Sequence, residues 1–562
     1  MHNRLYKDFR LFLVAMILWG TALIWHVYPR VLISAAIVGL VLLIFSLGLC
    51  LNSSSNRSNH GQVLMNIGLY GLVLTVAALC MVISLAAHQS VDLSPQDLPE
   101  GTDSIRSLLV RVRSPVMASD RRAFDCKVDG QALVSASESQ VLTVSNFPLR
   151  IYASGRDCSL RNQGEYWIQG KLSPAQYGKV PLWFSLSSQR ESIYCLNPPG
   201  WWQQKISRMQ DAFLEETQKL SPQGQILVPG LTLGIMGNEA FVSGSRQGTD
   251  KTLSEAYVSK VKDSFLNLGI MHLMAVSGSH FVLLASLIRW ILVRCKMGNR
   301  IIAVVSTLAY FALSTMMYPS DSLIRALAMG LIGSFCFGVG LVTNAFNSLN
   351  LTVIAILLCK PSLAWSYGFA LSCSAVYGIL LFHRPLCRAL SRYVPKLCAE
   401  PLSLTICAQV FSLPISILMI PAVPLLSLPA NLLVSPLVSA ATILGLSGFL
   451  LAPICRQLSF CLVYVASGLT QLMNSLSLAL SDNSWCTIAW PTGGTGVLIL
   501  VFLYAGSALF YLFVKEAKQG VKAHRARVQG VKMQGENLKI TLKQRLSYWI
   551  GDIKDHVFQQ DW

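Results

Sequence analysis

Leu-Ile-Arg-Ala-Leu-Ala-Met-Gly-Leu-Ile-Gly-Ser-Phe-Cys-Phe-Gly-Val-Gly-Leu, residues 323–341, comes close to the roughly 20 apolar residues that cross a bilayer, with Arg325 in its first turns. Runs of the same kind recur along most of the chain, among them Val31 to Cys50, Val63 to Ala87 and Val497 to Val514. The 562 residues are 53% hydrophobic and 13% charged, with a mean hydropathy of +0.51. No soluble core needs that much apolar sequence, so the chain reads as an α-helical polytopic membrane protein. The formal charge of +18 sits mainly between the apolar runs. That placement fits the positive-inside bias as well as contact with nucleic acid, and charge alone does not choose between them.

At the amino end, Arg4, Lys7 and Arg10 imitate a signal peptide, but the apolar run after them lacks a small-x-small site and meets Pro29 and Arg30, which predicts a retained span. Three spans are predicted in residues 1–90, at about 11–28, 31–50 and 63–87. From 91 to 199 the pattern alternates and turns often, as in Ser107 to Arg113, Leu149 to Tyr152 and Gly164 to Lys171, and reads as a small β-barrel or sandwich. With the basic amino end held inside, three crossings put this domain outside the cell membrane. In residues 200–264, Trp201, Trp202, Ile206, Met209, Phe213 and Leu214 predict an amphipathic interfacial helix, with the two tryptophans as anchors, and the short apolar stretch Gly224 to Gly237 predicts a re-entrant segment.

Residues 265–514 offer nine crossings, at about 266–294, 301–317, 322–342, 345–359, 362–383, 402–421, 428–451, 457–480 and 493–514, or about 12 in all. The loop cations Arg289, Arg294, Lys296 and Arg300, then Arg384, Arg388, Arg392 and Lys396, then Arg456 all fall on the predicted inner side, as does the basic tail 515–562. Most of the fifteen cysteines are scattered through the spans without a CxxC pair and read as apolar fillers; no metal site is expected. Cys126, Cys158 and Cys195 fall in the outer domain, where one disulfide is expected and its pairing stays open.

Polar islands interrupt the second block. The densest is His272-Leu-Met-Ala-Val-Ser-Gly-Ser-His280; others are Tyr318 to Ala326, Tyr367 to Val376, Gln409 with Pro414, and Leu428 to Pro436. Polar groups at membrane depth are tolerated where they pair within the protein or line a hydrated cavity. Ser320 or Asp321 is placed to cap the helix that Arg325 enters. His272 and His280, eight residues apart, would share one face of a helix.

In order and wording these islands resemble the ComEC family of competence proteins. Its Gly-x-x-His-Leu-Leu-Ala-(Ile/Val)-Ser-Gly-Leu-His run corresponds to Gly269 through His280, its Ser-(Val/Leu)-(Leu/Ile)-Arg-Ala run to Ser322 through Ala326, and its Gly-Phe-x-Leu-Ser-x-x-Ala-Val run to Gly368 through Val376. Its Ala-Gln-x-x-x-x-Pro and Ala-Asn-Leu-Leu-x-x-Pro runs correspond to Ala408 to Pro414 and Ala430 to Pro436. Ser279 departs from the family's usual apolar residue. The metallo-β-lactamase-like domain of many members has no counterpart here, since no His-x-His occurs.

The resemblance implies a channel, without a nuclease of its own, that moves single-stranded DNA across the bacterial cytoplasmic membrane during transformation. It also implies an OB-like outer domain, and as partners an outer DNA receptor, a cytosolic helicase-like ATPase and a separate nuclease. No GxxxxGK[ST] loop supplies energy within the chain. The candidate lining or gating residues are His272, Ser277, Gly278, Ser279, His280, Arg325, Gln409 and Asn431. Tyr166, Trp167 and Lys171 are candidate DNA contacts in the β domain, although its twelve Lys and Arg face eleven Asp and Glu between 91 and 200. The competing readings are an intramembrane enzyme built on Ser277 and His280 and a small-solute permease. No cofactor is expected.

Overall fold

The computed structural model describes residues 9–27, 105–136, 142–175, 180–186, 193–240, 254–274, 278–341, 344–483 and 485–528. The spans expected at 31–50 and 63–87, Ser277 and the tail beyond 528 lie outside these residues.

The β domain is a closed barrel. β1 (Ile105–Val112) pairs antiparallel with β3 (Cys126–Ala136), β3 with β4 (Leu142–Ala153), β4 runs parallel to β6 (Leu182–Leu186), β6 pairs with β5 (Glu165–Pro174), and β5 closes on β1. The short β2 (Met117–Ala118) and β7 (Ile193–Asn197) add to β3 and β5. Closure needs every second side chain inside, and the sequence supplies them: Leu108, Val110 and Val112 on β1, Tyr166, Ile168 and Leu172 on β5, and Leu182, Phe184 and Leu186 on β6 form one core. At Gly170 a side chain would run into Phe184 and the β6 backbone, so the β5–β6 contact depends on glycine.

Cys126 and Cys158 form a disulfide with Cα atoms 6.0 Å apart, bridging the start of β3 to the 3-10 turn Gly155–Ser159, while Cys195 is free and exposed. The two cysteines are 32 residues apart, and loop-closure entropy then assigns the bridge about 4 kcal/mol. Cys158→Ser should therefore open the barrel to protease faster than wild type, and reductant should accelerate cleavage of the wild type but leave the variant unchanged.

In the membrane block, six helices are long and apolar enough to cross: α6 (Asn299–Met316), α7 (Asp321–Val339), α9 (Tyr367–Leu390), α10 (Lys396–Met419), α11 (Ser427–Leu451) and α12 (Arg456–Ser481). Around them stand α1 (Phe9–Val27), α5 (Gly278–Arg294), α8 (Ala345–Cys359) and α13 (Gly493–Val528). α1 is built into this block: Phe9 and Phe12 pack on Phe346, Trp19 Nε1 donates to the Ala364 carbonyl at 3.1 Å, and Trp365 Nε1 donates to the Ala22 carbonyl at 3.3 Å.

One expectation is corrected. The single span expected at 266–294 is broken: α4 (Glu255–Asn267) stops, Gly269 takes φ +65°, a 3-10 turn covers Met271–Met274, and α5 starts at Gly278. His272 and His280 therefore do not share a helix face. The sequence expected at Trp201 to form an amphipathic helix is α2 (Trp201–Thr217), which opens with the exposed Trp201 and Trp202 and buries Ile206, Phe213 and Leu214.

Along α2, Gln210 Nε2 donates to the Met316 carbonyl at 2.8 Å, Asp211 pairs with Arg161 of the barrel at 2.7 Å, the Phe213 ring meets Phe449 at 5.6 Å, and Glu215 pairs with Arg456 at 3.4 Å. Arg456 is thus tied to the helix that also holds Arg161 of the barrel.

The apolar stretch after α2 is α3 (Pro222–Leu233), which at 12 residues is about 18 Å long and almost wholly buried. It wedges against α11 and α12 at glycines: a side chain at Gly445 would strike Thr232, and one at Gly224 would strike Ser467.

Candidate functional site in the membrane domain

The polar islands fold into two clusters. In the first, α7 and α9 start side by side. The Ser320 hydroxyl accepts the Leu323 N–H at 3.2 Å and Ser366 accepts the Phe369 N–H at 3.5 Å, so each helix carries a serine N-cap. The Ser366 hydroxyl also donates to Asp321, locking the two ends together. One turn further along both helices, Arg325 Nε donates to Ser372 Oγ at 2.7 Å, Ser322 Oγ lies 3.1 Å from the same oxygen, and Arg325 Nη1 lies 3.4 Å from Met329 Sδ. Gly278, at the start of α5, faces the Arg325 guanidinium, where a Cβ would sit 3.6 Å from Nη2.

Arg325 is 6% exposed and makes no ion pair among the described residues. A guanidinium carries five N–H donors in a fork, and these contacts use only part of them. Buried cations are ordinarily paired, because an isolated one costs several kcal/mol of desolvation.

The second cluster centres on Ser427 at the head of α11. Its hydroxyl donates to Gln409 Oε1 of α10 at 2.7 Å and accepts from Asn431 Nδ2 at 3.3 Å. Gly269 abuts it, with a Cβ there 3.3 Å from Ser427 Oγ and 2.8 Å from the Pro424 ring. Its left-handed backbone suits glycine, and its carbonyl lies 3.1 Å from His272 Nδ1. Each cluster therefore draws on different islands: Gly278, Arg325 and Ser372 in one, Gly269, His272, Gln409 and Asn431 in the other. Ser372 and Ser427 are the hydroxyl hubs that a list of conspicuous side chains misses. Both stood within or directly beside an island, and that adjacency was the available signal.

His280 has a different place. It is 5% exposed, and its Nε2 lies 3.0 Å from the Leu231 carbonyl in the last turn of α3. A carbonyl only accepts, so Nε2 carries the proton in this contact. The neighbouring Leu233 carbonyl accepts the Tyr318 N–H at 3.0 Å, so α5 and the turn before α7 satisfy the carbonyls that the end of α3 leaves open. His280 thus caps the end of α3 through its Nε2. Ser277 lies outside the described residues; Ser279 is in the first turn of α5.

In the barrel, Tyr166 faces inward, is 6% exposed and accepts the Arg161 N–H at 3.0 Å. This corrects its assignment as a stacking platform. Trp167 and Lys171 face outward on β5, and Trp167 lies opposite the exposed Tyr194 of β7.

A second aromatic group, Phe124, Tyr152 and Trp183, lies on the outer face but is covered by the Arg121 guanidinium, 4.9 Å from the Trp183 ring centre and 5.3 Å from that of Tyr152. Burial, reinforced by the Asp120 carboxylate, pushes the Tyr152 phenol up from 10.0 to about 12. Because the fold favours the neutral phenol, its contribution to stability is complete below pH 10 and is lost as pH rises from there toward 12. An ultraviolet titration should show a late phenolate step, and Tyr152→Phe should lower its amplitude by one tyrosine.

Residues 249–515 match the family model described as Competence protein, which takes in both clusters and leaves the barrel outside. Neither a curated protein nor a solved structure matches the chain.

Proposed function

From the premise that the chain is a ComEC-type competence protein through residues 249–515, and so serves DNA uptake, we propose that it passes a single strand of DNA across the cell membrane. The observation that carries this reading is Arg325: a buried cation with donors to spare and no carboxylate partner among the described residues, held where three polar islands meet. Intramembrane cations of this kind mark the path of an anion. Gln409, Asn431 and Ser427 add neutral polar groups, which suit a strand that must be held weakly and without regard to sequence.

The outer barrel supports the same reading. Numbering only the strands that close it, the order is 1-2-3-5-4-1 with the third and fifth parallel, as in OB-like domains that bind nucleic acid strands. Trp167, Tyr194 and Lys171 offer stacking and charge on its outer face. In this arrangement the barrel is extracytoplasmic, the basic turns and both chain ends are cytoplasmic, and an outer DNA receptor, a cytosolic helicase-like ATPase and a separate nuclease act beside it. We read the chain as a conduit and not an enzyme.

The test is uptake of labelled transforming DNA in a deletion strain. Deletion should leave DNA bound outside with no protected label in the cytosol, and the wild-type gene should restore entry. Unchanged entry in a transformable deletion strain would refute the reading and favour a solute permease.

A further inference from the structure

We propose that α11 and α12 are not membrane crossings but a hairpin whose two ends and whose turn, residues 452–455, all lie on the barrel side. By length and apolarity both helices qualify as spans, so simple alternation sends their turn to the far face. The contacts of the turn forbid that.

Phe449 packs on Phe213, Arg456 pairs with Glu215 at 3.4 Å, and Phe460 lies 6.0 Å beneath Lys219. Asp211, paired with Arg161 of the barrel, precedes Glu215 by four residues, about 6 Å of helix, whereas a hydrocarbon core is about 30 Å thick. A folded polar barrel stays out of that core, so a turn one helical step from the barrel is on the barrel's side of it.

A second line of contacts agrees. Gly445, about two turns before the end of α11, packs on Thr232, and the adjoining Leu233 carbonyl accepts the Tyr318 N–H. Leu446 packs against the cluster that holds Phe281, Met317 and Leu323, which stand at or beside the ends of α5, α6 and α7 nearest Tyr318.

The other end of the hairpin is on the same side by direct linkage. Asp321 and Ser366 join the starts of α7 and α9, and α10 returns from its basic end at Lys396 to Met419. β8 (Ala422–Pro424) then pairs with β9 (Thr487–Ala489), tying the entry to α11 to the exit from α12.

Charge is consistent with this. The two far-side turns carry Arg294, Lys296 and Arg300, and Arg388, Arg392 and Lys396, whereas the α11–α12 turn has Arg456, already neutralised by Glu215. Removing two crossings from nine leaves seven, still an odd number, so α13 continues to deliver the basic residues after 514 to the far side. The hairpin lies over the buried α3, exposing Leu432, Leu433, Leu450, Leu458 and Leu472.

Natural cysteines provide the test, which involves no DNA and so stands apart from the proposed transport role. Cys195 is exposed on the barrel, Cys295 and Cys398 on the far-side turns, and Cys455 at the hairpin turn. Full-length versions keeping the Cys126–Cys158 bridge and one of these four are treated, in intact and in permeabilised cells, with a membrane-impermeant maleimide. Cys455 is expected to label under the same condition as Cys195; labelling together with Cys295 and Cys398 overturns the proposal.

If Cys455 reacts in neither state, Arg456→Cys, at a side chain 65% exposed, decides by the same comparison. As a separate check, Glu215→Cys with Arg456→Cys should cross-link on mild oxidation, and failure to do so in the inserted protein removes the contact on which the assignment stands.

Discussion

Arg325→Met is expected to insert normally and to be at least as stable in detergent as wild type, yet to lower entry of DNA into the cytosol by about tenfold or more, the equivalent of about 1.4 kcal/mol or more along the path. The two halves of this result belong together. Replacing a buried charge by an apolar side chain of similar volume is often neutral or stabilising, because the desolvation of the ion is no longer incurred. If Arg325 served only to fasten α7 to α9 through Ser372, then Arg325→Met would retain uptake, and that outcome would show the cation to be structural. Arg325→Glu should abolish entry, since it sets a carboxylate one turn from Asp321, of the same sign as the strand that must pass. Arg325→Lys should fall between, keeping the charge but losing the planar fork that reaches Ser372 and faces Gly278 together. Protease-protected label measured against the amount of inserted protein separates these cases.

Ser427→Ala should be the most destabilising of the polar substitutions. It changes the volume little and removes the hydroxyl that serves both Gln409 and Asn431, leaving two amides short of a partner at about 1–3 kcal/mol each. The measurable result is a lower aggregation temperature of the solubilised protein together with reduced DNA entry. A Gln409→Leu change added to Ser427→Ala should recover part of the stability, since removing both members of a buried pair costs less than removing one. It should not recover entry, because the polar lining is then gone. Full recovery of both would mean that the cluster only packs α10 against α11.

How far the sequence could be read followed from the range over which each signal acts. Strand alternation and helical apolar runs are local, so the barrel, the amphipathic helix at Trp201 and most of the apolar helices were legible. The break at 268–277 was half visible in the cluster of Ser277, Gly278 and Ser279, but the left-handed Gly269 that ends α4 looks in sequence like any other glycine. On the hairpin proposal, positive-inside counting misplaces Arg456, because it treats one arginine as evidence although Glu215, 241 positions earlier, pairs with it. Tyr166 was misassigned by a single step of register: its neighbour Trp167 has the outward position on β5. The site was legible as islands but not as clusters, because Ser372 and Ser427 gain their meaning only when helices far apart in sequence are brought together.

The seam between α1 and the second block has a further consequence, in time rather than space. The Trp19 bond to Ala364 joins residues 345 positions apart, and the Trp365 bond to Ala22 spans 343. At ordinary rates of synthesis, about 5–20 residues per second, α1 must wait roughly 20–70 s for its partner to be made. Through that interval its packing face, centred on Ala15 and Leu18, lacks the partners it has in the finished fold. The first segment synthesised is thus among the last to be seated, and the order of insertion is not the order of assembly.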